Sequence, residues 1–255
     1  MRKIFVFVGL IVLVVASIAL ATYQATRLEI LVIVMLGQSN PVGHSRNPNT
    51  ELSHPDVLVY SRDGHVRQAA EPLDLIGGGS GGGWGTVMGL GLIRPGRRVL
   101  LVPRAINGSP MSRWDPSGET FAEVSSQVDD AMREARKLGR ARMVIVWDQG
   151  ESDSWAREKA VMWRLHFVEL VNAWRKRWPN TPVLFVETGQ PQGEMAQKLV
   201  AWPELHASQT RVTLPRCKSV SALDLPMEPD GVHRTWGAQL VVGKRLAEEA
   251  SKLLQ

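Results

Sequence analysis

Residues of the types that can cooperate in acyl transfer stand at two distant places in this chain of 255 residues: Ser39, and the neighbouring pair Asp230 and His233. A serine hydroxyl is a weak nucleophile at neutral pH and needs a base, which an imidazole can be. In Asp230-Gly231-Val232-His233 the carboxylate lies within about one turn of the imidazole, where it can fix the tautomer and stabilise the imidazolium. Attack on a carbonyl also builds an oxyanion, which needs N–H donors already aimed at it. Ser39 can offer its own N–H from a turn. Gly108, in Asn107-Gly108-Ser109, lets its N–H come close because it has no side chain, and the Gln149 amide in WDQGESD can add a donor. Each fragment alone is a weak signal; their order and placement carry the argument.

Such residues are useful only if the fold gathers them. Apolar, β-branched runs at Ile30 to Leu36, Val57 to Tyr60, Val99 to Val102, Met143 to Trp147 and Val183 to Val186 read as strands. Glu119 to Leu138 and Trp155 to Trp178 carry apolar residues at helical spacing, with Val161, Leu165, Val168 and Val171 on one face of the second, and a last helix runs from Trp236 to Leu254. Strands apolar on both faces and separated by helices imply a mainly parallel sheet covered on both sides, an open α/β sandwich of about five strands in one domain. Ligands of such sheets bind beyond the carboxyl ends of the strands. There lie Gly37-Gln38-Ser39-Asn40, Asn107-Gly108-Ser109 and WDQGESD, while Asp230-Gly231-Val232-His233 stands before the final helix.

Composition bounds the function. With 44% hydrophobic and 22% charged residues the chain is neither a disordered tail nor a polytopic membrane protein. Its single cysteine, Cys217, cannot form an internal disulfide or build a cysteine-rich metal site. The net charge of +5 hints at nucleic acid, but two of those charges, Arg2 and Lys3, precede an uncharged run from Ile4 to Ala21. That run reads as a secretory signal peptide ending at Ala19-Leu20-Ala21 or as an uncleaved membrane anchor, so residues 1–23 are an export segment and 24–255 the exported domain. Without residues 1–21 there remain 28 basic against 25 acidic residues, gathered mainly on helix faces, and no nucleic-acid partner is expected.

Other groups invite different chemistry. Gly77 to Gly85 holds seven glycines in nine residues, yet neither a Gly-Lys-Ser/Thr nor a strand–GxGxxG–helix arrangement accompanies them, so the stretch does not read as a nucleotide site. Asp148, Glu151 and Asp153 suggest paired glycosidase carboxylates, but one acidic loop does not place two carboxyls on opposite faces of a sugar. Glu151 is expected to organise the loops around the site by hydrogen bonds. His44, His54 and His65 lack the spacing of a helical metal site, and no metal or other cofactor is expected. Among nine tryptophans, Trp84, Trp114 and Trp236 fall near loops around the site and could stack against sugar rings, while Trp163, Trp174 and Trp178 are packing residues.

GQSN, the glycine-containing block ending in Trp114, WDQGESD and DGVH together resemble the four blocks of the SGNH hydrolase superfamily, most of all its sialate O-acetylesterase and carbohydrate esterase family 6 branch. The resemblance runs from about Ile30 to the end. It implies a flavodoxin-like α/β/α sandwich, Ser39 as nucleophile, His233 as base, Asp230 as its orienting acid, and an oxyanion hole of the Ser39 and Gly108 N–H groups with the Gln149 side chain. It also implies an acetylated carbohydrate substrate. The alternatives are a lipid or thioester hydrolase on the same fold, and an inactive, membrane-tethered glycan-binding protein. Two departures favour the last: Asn107 where two glycines are common, and Asp148 where histidine or an aromatic residue is common. The Asp148 carboxylate is expected to point away from the oxyanion.

Overall fold

The computed structural model describes residues 28–73 and 81–255. The export segment 1–23 and the glycine run up to Ser80 lie outside the described residues. Among the described residues no helix is long and apolar enough to cross a membrane.

The central strand β1 (Glu29–Gly37) is buried along its whole length. Its side chains alternate between two cores: Ile30, Val32, Val34 and Leu36 face one, Leu31, Ile33 and Met35 the other. An unbroken apolar run is what a strand covered on both faces requires, and each such side chain contributes about 1.5–3 kcal/mol on burial. The remaining strands are β2 (Val57–Tyr60), β3 (Val66–Gln68), β4 (Arg97–Pro103), β5 (Arg140–Asp148), β6 (Val183–Glu187) and β7 (Cys217–Ser221). They form one sheet in the order β3-β2-β4-β1-β5-β6-β7, parallel throughout except for the β2–β3 pair.

The helices are α1 (Ser39–Val42), α2 (Gly85–Leu92), α3 (Glu119–Leu138), α4 (Arg157–Arg177), α5 (Gly193–Lys198), α6 (Trp202–Gln209) and α7 (Trp236–Leu253), with 3-10 turns at Met111–Trp114 and Glu151–Asp153. Helices α3 and α4 fill the first core with Val128, Ala131, Phe167 and Trp174; α2 and α7 fill the second with Met88, Val242 and Leu246. The result is a three-layer α/β/α sandwich. Strand β1 lies between β4 and β5, so the chain reverses its direction of growth across the sheet at the carboxyl end of β1, where a crevice opens.

Among the described residues the sheet has seven strands rather than about five. The two extra strands, β3 and β7, lie at the edges and bear exposed polar residues, so they lack the apolar run that marks the inner ones. Helix α2 carries no helical signal in its sequence because GTVMGLGL holds three glycines, poor helix formers kept here by burial against α7. In α4 the buried face is Trp163, Phe167, Leu170 and Trp174, while Val161 and Leu165 are 50% and 47% exposed. Aromatic bulk, not the valine spacing, decided which face turns inward.

Candidate active site

Three strand ends converge on the crevice. After β1 the chain turns at Gly37, whose φ of +119° favours glycine and whose imagined Cβ would lie 2.1 Å from the Asp148 carbonyl oxygen. This close approach, with the Gln38 N–H donating to the same oxygen at 3.0 Å, locks the β1 turn onto the end of β5 and starts α1 at Ser39. Asn40 then staples the turn to two other loops. Its Nδ2 donates to Glu151 Oε1 at 2.7 Å and to the Val232 carbonyl at 3.4 Å, while its Oδ1 accepts from the Arg234 N–H at 3.1 Å.

The Asp230–His233 loop is tied together by its own hydrogen bonds. Asp230 Oδ1 accepts from the N–H groups of Val232 (3.0 Å) and His233 (2.9 Å), leaving Oδ2 to accept from His233 Nδ1 at 2.8 Å. Because a carboxylate is only an acceptor, Nδ1 carries the proton and Nε2 of the neutral ring is left as a base. Burial would raise the Asp230 carboxyl, but the two backbone donors and the imidazole outweigh it and hold it below the usual range. Burial pushes the His233 imidazole below its ordinary value; Asp230 opposes this, and His44 and Arg234 reinforce it. The ring is therefore neutral at pH 7.

Ser39, Gly108, Glu151, His233, His44 and Trp155 line one open cleft of about 300 Å³. Gly108 is exposed there with φ +61°, and nothing lies within 4 Å of where its Cβ would be, so the space beside its Cα is open. Among the described residues no protein group hydrogen-bonds the Ser39 hydroxyl, although Ser39 and His233 share the cleft.

Gln149 does not join them. Its Nε2 donates to Asp153 Oδ2 at 2.5 Å and to the Ser109 carbonyl at 3.3 Å, and its Oε1 accepts from Trp163 Nε1 at 2.9 Å. Trp163 can only donate, so the amide cannot flip, and both its N–H groups are spent inside a fully buried network. Gln149 braces the loops beneath the cleft instead of donating into it.

The tryptophan expectation is also corrected. Trp84 and Trp114 are 0% and 1% exposed; their indole N–H groups serve Asp148 Oδ2 and Ser109 Oγ, so neither can meet a sugar. Trp236 is half-buried over Gly82 and Pro48, away from the cleft lining. The cleft-lining indole is Trp155, 52% exposed. The sequence marked it only by its place directly after the Glu151–Asp153 turn.

Asp148 points away from the cleft, into a fully buried ion pair with Arg234 and a 2.9 Å hydrogen bond from Trp84 Nε1. Arg234 compensates the extra carboxylate, a role that its neighbour His233 overshadowed in the sequence. Glu151 has no such cation of its own. Burial first, and then the Asp148 charge, push its carboxyl up to about 7, against the pull of Arg234 and Asn40. Its Oε2 is buried and unpartnered among the described residues. His54 and His65 lie outside the cleft, and among the described residues no cluster of His, Cys, Asp and Glu could hold a metal. Burial raises the Cys217 thiol to about 11, so it is inert.

The model of the sialic acid-specific acetylesterases, a carbohydrate esterase family, matches residues 29–252. The chain belongs to that family. It is thus a carboxylic ester hydrolase of the carbohydrate acetylesterase type. It is 23% identical over 241 residues to a probable carbohydrate esterase of Arabidopsis thaliana, covering 85% of this chain and 88% of the relative. The solved structure of that Arabidopsis protein superposes with a TM-score of 0.78 at 21% identity, covering 88% of this chain and 98% of the other. The crystal structure of NanS gives 0.70 at 13% identity over 89% and 98%. At these identities the structural likeness shows a shared sandwich; the family match carries the chemistry.

Proposed function

We propose that the protein removes O-acetyl groups from a carbohydrate by a serine mechanism. The observation that carries this reading is the Asp230–His233 pair, fixed at Nδ1, sharing one cleft with Ser39 and Gly108. Ser39 Oγ attacks the acetyl carbonyl carbon while His233 Nε2 takes the hydroxyl proton. The Ser39 and Gly108 N–H groups receive the oxyanion, and Asp230 stabilises the imidazolium without becoming protonated. His233 then gives the proton to the departing sugar oxygen. Water, deprotonated by the same ring, attacks the acetyl-enzyme, and collapse of that second intermediate returns the proton to Ser39 and releases acetate.

Trp155 replaces the three buried or displaced tryptophans as the sugar platform, its exposed indole lying beside Met195 and Leu199 on the cleft wall. Among the described residues no Lys or Arg lines the cleft, and the nearby Arg46, Arg157 and Lys198 pair with Glu228, Glu204 and Glu194. A neutral acetylated sugar fits such a wall better than one bearing a carboxylate. The features that favoured an inactive binder have other uses: Asp148 is paired with Arg234, and the Asn107 side chain bonds His44. The export reading of residues 1–23 stands as part of the proposal, with the domain outside the cytoplasm, anchored or secreted; the mass of the mature N-terminus tests it.

The deciding experiment measures turnover of an aryl acetate and labelling by a serine-directed fluorophosphonate in the wild type and in Ser39→Ala. Both signals should vanish in the folded variant; retained turnover would sink the mechanism. Acetylated neutral glycans and O-acetyl sialate, compared by kcat/KM, test the sugar.

A further inference from the structure

His44 has no part in the scheme above, yet it lies against the base. Its ring stacks on that of His233 with centroids 4.5 Å apart and planes inclined by 14°. Its Nε2 is 2.9 Å from Asn107 Oδ1, and since an amide oxygen only accepts, Nε2 carries a proton that it donates there. Its backbone is held on both sides. The Gly81 N–H donates to the Gly43 carbonyl at 3.1 Å, and Ser45 forms an antiparallel bridge with Gly82, reinforced by Ser45 Oγ donating to the Gly82 carbonyl at 2.7 Å. A histidine on an open loop edge would need none of this bracing.

We propose that His44 is a positioning residue, a fixed wall that sets the plane of the His233 ring and, through Asn107, ties that ring to the loop bearing Gly108. The proposal rests on the reading of Ser39 and His233 as nucleophile and base. The hydrogen bond from Nδ1 to Asp230 still lets the imidazole swing a little about its Cβ–Cγ bond, as far as that hydrogen bond can bend. A face contact 4.5 Å away removes the swing and keeps Nε2 at one place in the cleft. The Asn107–His44 bond makes the base and the Gly108 N–H move as one, so proton transfer and oxyanion binding stay in register. Asn107, a departure from the glycines common at this place, thereby gains a purpose that a glycine could not serve.

The charge arrangement around the pair is consistent with this. Facing His233 are Asp230 at Nδ1, His44 on its face, Glu151 in the same cleft, and Arg234 beside it in the chain, turned to Asp148; the Glu228 side chain is engaged with Arg46. Two stacked imidazolium rings repel, so His44 also favours the neutral form of the base.

Aryl acetate hydrolysis by His44→Ala, His44→Phe and Asn107→Ala, each over a range of pH, tests the proposal. His44→Ala should lower kcat by about 10-fold with KM within about twofold, and should move the acid limb of kcat/KM to higher pH. His44→Phe keeps a flat ring against His233 and should recover most of the lost kcat; Asn107→Ala should lose less than His44→Ala. A His44→Ala kcat within twofold of wild type with an unmoved acid limb, or a His44→Phe as slow as His44→Ala, would overturn it. If His44→Ala does not fold, His44→Phe and Asn107→Ala decide: each keeps a ring against His233 and loses the same hydrogen bond, so both must be slowed alike and by less than about 10-fold, and a wild-type kcat in both refutes the proposal. Ser39→Ala run alongside separates the two failures: an active Ser39→Ala refutes the serine mechanism itself, whereas an inactive Ser39→Ala with an undisturbed His44→Ala refutes only the role of His44.

Discussion

The two ends of strand β1 treat buried carboxylates in opposite ways. At its start Glu29, 5% exposed, meets Arg97 Nε at 2.5 Å and Arg140 Nη2 at 2.9 Å, with Arg94 and Arg142 within 4 Å. Burial alone would raise that carboxyl, but Arg97 and its neighbours outweigh it and hold it below the usual range. At the other end, about 25 Å away along nine residues of strand, Asp148 and Glu151 share one buried cation, Arg234. There Glu151 is pushed up to about 7, and Asp148 Oδ1, Glu151 Oε2 and two Arg234 nitrogens have no partner among the described residues. An overcompensated carboxylate braces the fold; undercompensated charge sits beside the cleft proposed as the site, and the fold bears the cost.

The contrast breaks most sharply if activity and stability are measured at both ends. Asp230→Asn should lower kcat/KM by about 10²–10⁴-fold with little change in unfolding midpoint, since it removes the group that fixes the His233 tautomer. Because Asp230 raises the imidazole against its burial, the acid limb of whatever activity remains should move to lower pH. A loss under about tenfold would mean that the site does not run through this pair. Glu29→Gln should do the reverse: about 1–3 kcal/mol lost in urea unfolding, with kcat of the folded enzyme unchanged. A Glu29→Gln enzyme that is stable but slow would show that the ends are coupled and the contrast false.

Glu151 sharpens the comparison through pH. Its folded carboxyl titrates near 7, above its unfolded value of about 4.5. A group raised on folding stabilises fully below the unfolded value and loses that stabilisation as pH rises through the folded one. Glu151→Gln imitates the protonated form and can still accept from Asn40. It should match wild type at about pH 4 and gain roughly 3 kcal/mol over it at pH 8, read from the pH dependence of the unfolding midpoint. Equal slopes for the two proteins would mean that Glu151 is ionised as readily as Glu29.

The sequence shows the end of β1 proposed to do the chemistry far better than it shows how that end is braced. Ser39, Gly108, Asp230 and His233 stand out because their types and order have a chemical meaning, and the inner strands stand out because burial on both faces demands unbroken apolar runs. What escaped depends on contacts between distant residues. Gln149 reads as a donor until Trp163 and Asp153 are seen to occupy both ends of its amide. Trp84 and Trp114 lie near site loops in the chain yet face the core, whereas Trp155, beside an acidic turn, faces the cleft. His44 and Asn107 are 63 residues apart, and nothing in either segment announces the bond between them.

The smallest expected effect tests how far the overcompensation of Glu29 extends. Arg140 bonds Glu29 Oε2, but its side chain is 60% exposed, so water and salt screen the pair, and the long side chain loses entropy when held. Arg97, 5% exposed, carries the attraction that matters. Arg140→Ala should therefore cost less than about 1 kcal/mol in urea unfolding, shrinking further at high salt, and leave kcat untouched. If it costs as much as Glu29→Gln, the cluster acts as one unit in which each arginine is needed, and the start of β1 is as finely balanced as the end that carries Glu151. A small, salt-sensitive loss instead marks Arg140 as surplus charge around a carboxylate that Arg97 already satisfies.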